Sequence, residues 1–473
     1  MSDELPQGWD DVLLTDVAAR EKFAIVDGPF GSDLKLSDYV PDGTVPVLTT
    51  KNLTGTYDPN SVRFISQEKF QQVKRSKVVS GDILIAKIGS IGKCSIYPEG
   101  APTAIIPANL CKITVDDQVV FNRYLYWQIR TDEFQNMLKD ITSATAQPAF
   151  SVQRLKTLSI KLAPLPEQQR IVAKLELLLG QVDACRQRLA KIPALLKRFR
   201  QSVLAAACSG KLTEDWRVQN PHKQIENDHA PDGATAVPIS WEWKHLAEIS
   251  EVKGGVTKGR KFNGKKTIQL PYLRVANVQD GYLDLQEVKL IEALPEDKEK
   301  YALKAGDILF TEGGDRDKLG RGTVWRGEVA NCIHQNHIFR ARLITNQVIP
   351  DFISLATKSE FSRRYYFENA SQTVNLASIN LTMLAALPIP MPPLPEQQEI
   401  VRRVEALLAL ADNIEQRYKK AQTFIDKLTP SLLAKAFRGE LVPQDPNDEP
   451  ASVLLERIKA EGGKNKPQSR KKR

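Results

Sequence analysis

Basic residues grouped among glycines give the sequence its clearest chemical signal. Lys258, Arg260 and Lys261 lie within residues 254–266, which also contain further lysines and several glycines. A flexible backbone beside cationic side chains suits contacts to phosphate groups. The string Gly-Gly-Val-Thr-Lys-Gly-Arg lacks the Lys-Ser or Lys-Thr pair with which a P-loop holds phosphate and Mg²⁺. The segment therefore predicts phosphate contacts without nucleotide hydrolysis.

Side chains that can read the edges of bases occur near these cations and at comparable places in the first half of the chain. Gln and Asn can form paired hydrogen bonds with adenine, and Arg or Lys with guanine. Each residue alone could equally belong to an ordinary solvated loop, so the prediction depends on the whole set. The predicted nucleic-acid-binding residues are Lys51, Asn52, Lys87, Ser90, Lys93, Lys258, Arg260, Lys261, Arg274, Asn277, Arg316, Lys318, Arg321, His334, Gln335, Asn336 and His337.

No catalytic constellation accompanies these residues in the sequence. His334 and His337 could be imagined as metal ligands, but no cysteine or third histidine is close in sequence, so no metal site is predicted. The cluster Glu296-Asp297-Lys298 is typical of a solvated loop rather than of a nuclease site. Asn220-Pro221-His222 does not match the Asn/Asp-Pro-Pro-aromatic string of an adenine methyltransferase. We therefore expect a binding protein that is not an enzyme and that binds no cofactor itself.

Composition narrows the class of protein further. The chain has 473 residues, a net charge of +9 and 42% hydrophobic residues, as in ordinary globular proteins. Much of the charge lies in the last ten residues, where Lys464, Lys466 and four other cations occur without an acid. No apolar run is long enough for a membrane span, so no membrane partner is expected. The odd, widely spaced cysteines disfavour a disulfide framework and favour a reducing, cytoplasmic location.

An internal repeat organises the whole chain. Pro-Leu-Pro-Glu-Gln-Gln-x-Ile-Val occurs at Pro164–Val172 and again at Pro393–Val401, an offset of 229 residues. The same offset pairs Gly210 with Gly439, and Gly81–Leu84 matches Gly306–Leu309 with small insertions and deletions between. Because a unit of this length is too large for a solenoid repeat, the sequence indicates a duplicated module.

A long helix is predicted after each Pro-Glu-Gln-Gln string. Apolar positions alternate in steps of four and three, which is the spacing of a coiled-coil seam. Pro193 and Pro430 predict a kink or a break in each helix. Each helix could simply pack on its own domain, but the narrow seam favours antiparallel pairing of the two. The predicted helix-pair residues are Ile171, Leu175, Leu178, Val182, Leu189, Ile192, Leu196, Ile400, Val404, Leu407, Ile414, Tyr418, Ile425 and Leu428.

The part of each module that precedes its helix contains short β-like runs with interspersed helical stretches. The predicted fold class is α+β, with two globular domains joined by two long helices packed as an antiparallel coiled coil in a pseudo-two-fold repeat. The predicted boundaries are a first globular domain at 1–163, a first helix at 164–212, a linker at 213–236, a second globular domain at 237–392, a second helix at 393–442, and a C-terminal extension with a basic tail at 443–473.

These repeated segments resemble the specificity subunits of type I restriction–modification systems. The resemblance is carried by both Pro-Leu-Pro-Glu-Gln-Gln strings and by the helix ends Ser202–Leu212 and Ser431–Leu441. Asp27–Ser32 and Pro271–Gly281 look like parts of two different target-recognition domains of that family. The resemblance covers nearly the whole chain except its basic tail, and it is most specific in the helices.

The resemblance implies a division of labour. Each globular domain would read one half of a bipartite, asymmetric duplex DNA target, and the helices would set the spacer between the halves. They would also dock two methyltransferase subunits, which bring S-adenosylmethionine, while added restriction subunits use ATP and Mg²⁺. Two alternatives stay open: a coiled-coil scaffold that does not read bases, which predicts DNA binding without base preference, and a nuclease with an unrecognised site, which predicts metal-dependent cleavage.

Overall fold

The computed structural model describes residues 4–53, 56–144, 147–222, 231–234, 236–314, 319–372 and 377–464. The chain divides into unit 1, formed by residues 1–189 and 420–473, and unit 2, formed by residues 190–419. Each unit therefore contains one complete globular part and a portion of both helical regions. Fold class α+β is confirmed.

Residues 1–189 contain short strands and helices in mixed order. The strands are β1 (Asp10–Leu13), β2 (Ile25–Asp27), β3 (Val45–Val47), β4 (Arg63–Ile65), β5 (Lys77–Val78), β6 (Ile83–Ala86), β7 (Cys94–Ile96), β8 (Ala104–Ile105), β9 (Leu110–Ile113) and β10 (Ser159–Leu162). The helices are α1 (Gln67–Val73), α2 (Asn122–Ile129), α3 (Asp132–Asp140), α4 (Val152–Leu155) and α5 (Leu165–Leu189).

The remainder of the chain repeats this order. Its helices are α6 (Ile192–Cys208), α7 (Glu214–Gln219), α8 (Leu246–Ile249), α9 (Pro295–Tyr301), α10 (Pro350–Ala356), α11 (Glu360–Asn369), α12 (Leu381–Ala385), α13 (Leu394–Ala436) and α14 (Ala451–Lys464). Its strands are β11 (Glu242–His245), β12 (Ser250–Gly254), β13 (Ile268–Leu273), β14 (Lys289–Ala293), β15 (Ile308–Thr311), β16 (Gly313–Gly314), β17 (Gly322–Val324), β18 (Ile333–His334), β19 (Ile338–Leu343), β20 (Ser371–Gln372), β21 (Ala377–Ser378) and β22 (Pro388–Met391).

Sheet topology shows that the two globular parts share one fold. Unit 1 has sheets of order β1-β10, β2-β9-β6-β7 and β4-β3-β8-β5, and unit 2 has the corresponding β11-β22, β12-β19-β15-β17 and β14-β13-β18. In both units one pair of strands is parallel, β3 with β8 and β13 with β18. A parallel pair places the residues that follow both strands at the same end of the sheet, and the candidate interface lies there.

Helix caps repeat as well, although their residue types differ. Thr131 caps α3 by accepting a hydrogen bond from Phe134 N, and Ser359 caps the equivalent α11 by accepting one from Ser362 N. Ser151 and Asn380 cap α4 and α12 in the same way. Side-chain oxygens satisfy an otherwise unpaired backbone N–H at a helix start, so the duplicated helices begin at equivalent points.

The first long helical region is interrupted, whereas the second is continuous. α5 ends at Leu189 and α6 begins at Ile192, with Pro193 in the first turn, where proline costs no hydrogen bond. The predicted break at Pro193 is confirmed. A break at Pro430 is wrong, because α13 continues through it for 43 residues in all. Leu433 and Ala436 beyond the proline are buried in the core of unit 1, and this packing offsets the unfavourable proline.

The segment predicted as a linker, residues 213–236, begins with helical structure. Glu214–Gln219 form helix α7, and Thr213 just before it is fully buried. Residues 223–230 and 235 lie outside the described residues. The C-terminal extension is likewise structured at its start, because α14 buries Leu454, Leu455 and Ile458 in the core of unit 1. The basic tail from 465 onward lies outside the described residues.

Among the described residues, no helix is both long enough and apolar enough to cross a membrane.

Candidate nucleic-acid interface

The repeated Glu-Gln pair fixes each long helix to its globular part. Gln168 donates to the carbonyls of Val119 and Ala163 at 3.1 and 2.9 Å and accepts from Phe121 N at 2.8 Å. In unit 2, Gln397 uses its amide identically, donating to two carbonyls and accepting from Ile349 N at 2.9 Å. The motif that identifies the repeat is therefore a structural clamp between a helix start and its domain.

The two glutamates of this motif have unequal surroundings. Glu396 is fully buried and accepts from Trp241 Nε1 at 2.9 Å, Thr213 Oγ1 at 2.7 Å and Arg217 Nη1 at 2.5 Å. Glu167 accepts from Trp9 Nε1 at 3.1 Å, and among the described residues its Oε1 has no partner. Burial raises the pKa of Glu167, and the Trp9 hydrogen bond opposes that rise.

Within each unit the helices pair in antiparallel fashion. In unit 2, Arg200 on α6 pairs with Glu415 on α13 at 2.7 Å. Leu212 lies further along the chain than Arg200, but its carbonyl accepts a hydrogen bond at 2.8 Å from Arg403, which lies nearer the start of α13 than Glu415. The two helical regions therefore run in opposite directions. In unit 1, Arg186 lies 3.9 Å from Asp426, and the beginning of α5 shares a core with the end of α13. The antiparallel arrangement is therefore present inside both units.

The predicted seam is buried unevenly. Its first residues pack into the domain cores rather than only against a helix, so both alternatives considered from the sequence are partly correct. Leu178, Leu189, Ile192, Leu407, Tyr418, Ile425 and Leu428 are half-buried, Ile414 is exposed, and Ile171, Leu175, Val182, Leu196, Ile400 and Val404 are buried.

Close backbone contacts at two glycines shape the candidate interface. A Cβ on Gly28 would lie 2.1 Å from the Pro107 carbonyl, and a Cβ on Gly255 would lie 1.9 Å from the His334 carbonyl oxygen. Glycine is therefore required where the loop after β2 or β12 crosses the segment after β8 or β18. The crossing brings together loops that are far apart in sequence.

In unit 1 these loops border an open cavity of about 230 Å³. Polar side chains around it can donate or accept hydrogen bonds, and the Arg63 guanidinium lies 5.2 Å from the Tyr39 ring. None of these residues was predicted from the sequence, because they meet only through the pairing of β3 with β8 and β4. The polar residues that line the cavity are Tyr39, Thr49, Thr50, Arg63 and Asn109.

Three of the predicted residues of unit 1 are exposed around this end of the sheet. Lys51, Ser90 and Lys93 project into solvent. Phe30, in the loop after β2, is 56% exposed. Exposed cations and an exposed aromatic ring next to a polar cavity suit contact with nucleic acid.

The structure does not support Lys87 and Asn52 as residues that contact DNA. Lys87 is only 7% exposed, and its ammonium donates to Asp27 at 2.5 Å, so it is not available to DNA. Asn52 is buried, and its Oδ1 accepts from Thr49 N at 3.0 Å. Both side chains stabilise their own loops instead of contacting bases.

Asn277 needs the same correction in unit 2. Its Oδ1 accepts from Arg274 N at 2.8 Å, and its amide donates to the Asp284 and Glu287 carbonyls at 2.8 and 3.0 Å. The match between Asn52 and Asn277 in the repeat therefore reflects one shared turn. The sequence could have indicated this turn, because asparagine side chains favour local hydrogen bonds with backbone groups.

His334 is the third correction of this kind. It is fully buried, its Nδ1 lies 2.8 Å from the Ile338 carbonyl oxygen, and burial lowers its pKa to about 4. It is therefore neutral at pH 7 and cannot reach a base edge. Among the described residues no group of histidine, cysteine and carboxylate side chains is arranged to hold a metal ion.

The neighbouring residues stay accessible. Gln335 and Asn336 are partly exposed, and His337 is 52% exposed on its side chain and pairs with Glu312. Gln335 accepts only a long hydrogen bond from Val275 N, at 3.4 Å. These three side chains lie at the end of β18 that corresponds to Asn109 in unit 1, so they remain candidates for base contacts.

The predicted cations of unit 2 fall into two groups. Lys258 and Lys261 are exposed. The arginines are held by partners inside the unit: Arg260 pairs with Asp297, Arg274 with Glu287 at 2.9 Å, and Arg321 donates to Gln279 at 3.1 Å. Arg316 and Lys318 lie outside the described residues.

Comparisons with known proteins agree with this arrangement. The family model described as the type I restriction modification DNA specificity domain matches residues 6–194 and 238–422. The type I restriction enzyme EcoKI specificity subunit of Escherichia coli (strain K12) is 28% identical over 488 residues, covering 99% of both chains. The StySPI specificity subunit of Salmonella potsdam is 30% identical over 490 residues, again covering 99% of both.

A solved structure shows the same fold. The HsdS subunit from Thermoanaerobacter tengcongensis superimposes with a TM-score of 0.59 at 19% identity, covering 92% of this chain and 98% of that one. A chain from a solved type I restriction–modification system gives a TM-score of 0.62 at 20% identity, covering 92% and 99%.

Proposed function

The chain belongs to the family of type I restriction–modification DNA specificity subunits, and we propose that each of its units reads one half of a bipartite duplex target. As a specificity subunit it directs a multisubunit enzyme to DNA and does not itself catalyse a reaction. The observation that carries the proposal is that two units with one fold present different side chains at the same sheet end. Unit 1 presents Asn109 and Arg63 there, and unit 2 presents Gln335, Asn336 and His337.

The helices supply the second part of the proposal, in which they set the spacer between the half-sites and dock two methyltransferase subunits. α13 has 43 residues and is therefore about 65 Å long. Leu195 and Phe424 are 58% and 64% exposed and occupy equivalent positions, 229 residues apart. Equivalent exposed apolar residues, one per unit, would suit two copies of one partner.

The cofactors of the complete enzyme belong to those partners in this proposal. The methyltransferase subunits would bring S-adenosylmethionine and methylate adenine N6 in double-stranded DNA. Restriction subunits would bring ATP and Mg²⁺ for translocation and cleavage. The division is consistent with the absence of nucleotide-binding and methyl-donor motifs from this sequence.

The target must be identified before binding can be tested. Comparing the genome-wide adenine methylation of the native host with and without this gene should reveal one asymmetric bipartite motif that disappears on deletion. Identical maps, with the partner subunits expressed, would favour the scaffold alternative instead.

Base reading is then tested with a matched pair of variants. We expect Asn336→Ala to weaken cognate binding by about 1–3 kcal/mol while leaving random DNA nearly unaffected. Asn346→Ala, which changes an exposed asparagine elsewhere in unit 2, is the control and should alter neither. An equal loss on cognate and random duplexes would reject base reading at this loop.

A further inference from the structure

A second cavity in unit 1, of about 350 Å³, is lined mostly by cationic side chains. Its walls also include Phe23, which is 38% exposed, and the carboxylate of Glu21. The cationic residues are Lys22, Lys74, Arg75, Lys77 and Lys112. None of them was singled out from the sequence.

Ion pairs neutralise only part of this charge. Lys112 is almost completely buried and lies 3.2 Å from Asp82 and 3.8 Å from Glu21, and Arg75 lies 3.9 Å from Asp27. Among the described residues no carboxylate lies within ion-pair distance of Lys22, Lys74 or Lys77. Neighbouring like charges repel one another, so an anion in the cavity would relieve an unfavourable arrangement.

The second unit shows that the fold does not require this charge. The matching turns before β6 and β15 make Lys77 equivalent to Ala302. Lys22 lies among residues 19–24, where unit 2 has the single residue Glu251, because Ala18 pairs with Val115 as Ser250 pairs with Leu343, and Ile25 pairs with Ile113 as Val252 pairs with Ala341. Lys74 lies in a short turn, Lys74–Ser76, that follows α1 and has no counterpart after α9. Unit 2 is therefore built without any of these three lysines. Lysines that the fold does not need indicate a ligand that is specific to unit 1.

The cavity lies at the same end of the sheet as the candidate interface. β5 runs antiparallel to β8, which is parallel to β3, so the residues before β5 lie beside those after β3 and β8. Ser76 Oγ donates to the Asp27 carbonyl at 2.8 Å, directly before the loop that contains Phe30. β5 and β3 are two strand spacings apart, which is about 10 Å.

We propose that this cavity binds a backbone phosphate of the DNA that flanks the half-site read by unit 1. The proposal rests on the proposed function, because it assumes that the adjoining sheet end meets duplex DNA. Lys22, Lys74 and Lys77 supply charge from two sides of an open cavity, and ammonium groups bind phosphate without reading sequence. The contact strengthens binding to every duplex equally.

The test uses the full chain and two double variants. In Lys22→Gln/Lys74→Gln the cavity loses two charges, and in Lys139→Gln/Lys174→Gln two exposed lysines of unit 1 outside the cavity are changed, so the net charge is matched. Binding to cognate and random duplexes is measured across a salt series. For the cavity variant we expect the slope of log Kobs against log salt to fall by about one for each lost phosphate contact.

The outcomes separate the cavity from the proposed function. Affinity for both duplexes should fall by the same factor in the cavity variant and stay nearly constant in the control. A wild-type chain that does not distinguish cognate from random DNA would contradict the proposed function. A wild-type chain that does, with an unchanged slope in the cavity variant, overturns this proposal alone.

Calorimetric titration with pyrophosphate distinguishes the other source of phosphate. Wild-type binding of pyrophosphate that is lost in the cavity variant, combined with an unchanged DNA salt slope, would assign the cavity to a free phosphate compound and overturn the backbone assignment. Circular dichroism melting of both variants should match the wild type, since the changed side chains are exposed.

Discussion

Replacing Glu396 and Glu167 separately by glutamine tests whether the repeated clamp stabilises the two units unequally. Both glutamates occupy the same place in the repeat, and both accept a hydrogen bond from a tryptophan. In Glu396→Gln an amide replaces the carboxylate that accepts hydrogen bonds from Thr213 and Arg217. The amide has no negative charge for the arginine, and its NH₂ group can only donate. Glu167→Gln has no such consequence, because Glu167 Oε1 has no partner among the described residues.

The magnitude follows from the partners. Removing one member of a buried ion pair costs about 3–5 kcal/mol, and a hydrogen bond to a charged group contributes about 1.5–3 kcal/mol. The Arg217 side chain is 19% exposed and can regain some hydration, so we expect Glu396→Gln to cost about 2–4 kcal/mol. For a unit of this size that lowers Tm by about 5–12 °C. Glu167→Gln should change stability by less than about 1 kcal/mol, because the lost charge was already disfavoured by burial.

The pH dependence gives an independent check. The pKa of Glu167 is raised above its ordinary value of 4.5, so in a window above pH 4.5 the folded state binds more protons than the unfolded state. This group's contribution to the stability of unit 1 therefore declines as pH rises through that window. Glu167→Gln should remove the decline.

Differential scanning calorimetry of the full chain at several pH values measures both effects. Equal losses in Tm for the two variants would refute the argument, because they would mean that Arg217 and Thr213 contribute nothing beyond the shared tryptophan contact. A pH profile that is unchanged in Glu167→Gln would refute the assignment of the raised pKa.

Three further predictions concern unit 2 and the helices. His334 has a pKa of about 4 in the fold and 6.5 when unfolded, so the free energy of unfolding of unit 2 should fall by about 3 kcal/mol as the pH falls from 6.5 to 4. In urea titrations His334→Ile should lose less stability over this pH range, and an equally steep loss in the variant would contradict the prediction. Leu178→Asp combined with Leu407→Asp should abolish assembly with the methyltransferase subunits while both domains stay folded, so unchanged co-purification would count against the helix-pair model. Leu195→Ser and Phe424→Ser should each remove one methyltransferase subunit, measured by the mass of the complex, and a full complement in either variant would reject docking there.

The helical regions and the α+β class could be predicted from the sequence because their signals are local. The four-three spacing places apolar residues on one face of a helix whatever its surroundings. The break at Pro193 was predicted from a local signal too, since a proline inside a helical pattern removes a backbone hydrogen bond whatever the fold. A break at Pro430 was the wrong alternative, because burial of Leu433 and Ala436 in unit 1 decides whether the helix continues, and that burial depends on residues far away in sequence.

The candidate interface was harder to predict, since exposure is a tertiary property. Asn52, Asn277 and His334 have side chains that can read bases, but each has its hydrogen bonds satisfied inside the domain. Conversely, Tyr39 and Asn109 are unremarkable in sequence and come together only because β3 and β8 are parallel. Residue types showed which side chains could contact bases, whereas strand pairing determined which of those side chains reach solvent.

The duplicated fold itself argues that the two half-sites differ. At the end of β6, Lys87 donates its backbone N–H to the Asn109 carbonyl and pairs with Asp27. At the equivalent place after β15, Glu312 makes the same backbone hydrogen bond to His337 but carries the opposite charge. Glu312 places a carboxylate beside the base-reading loop of unit 2, which favours partners that donate hydrogen bonds, such as the amino group of cytosine. The equivalent Lys87 is buried and neutralised by Asp27, so it presents no charge to DNA in unit 1. Because the two copies of this backbone differ at this position, the two units should prefer different bases, and the target read by this chain should not be a palindrome.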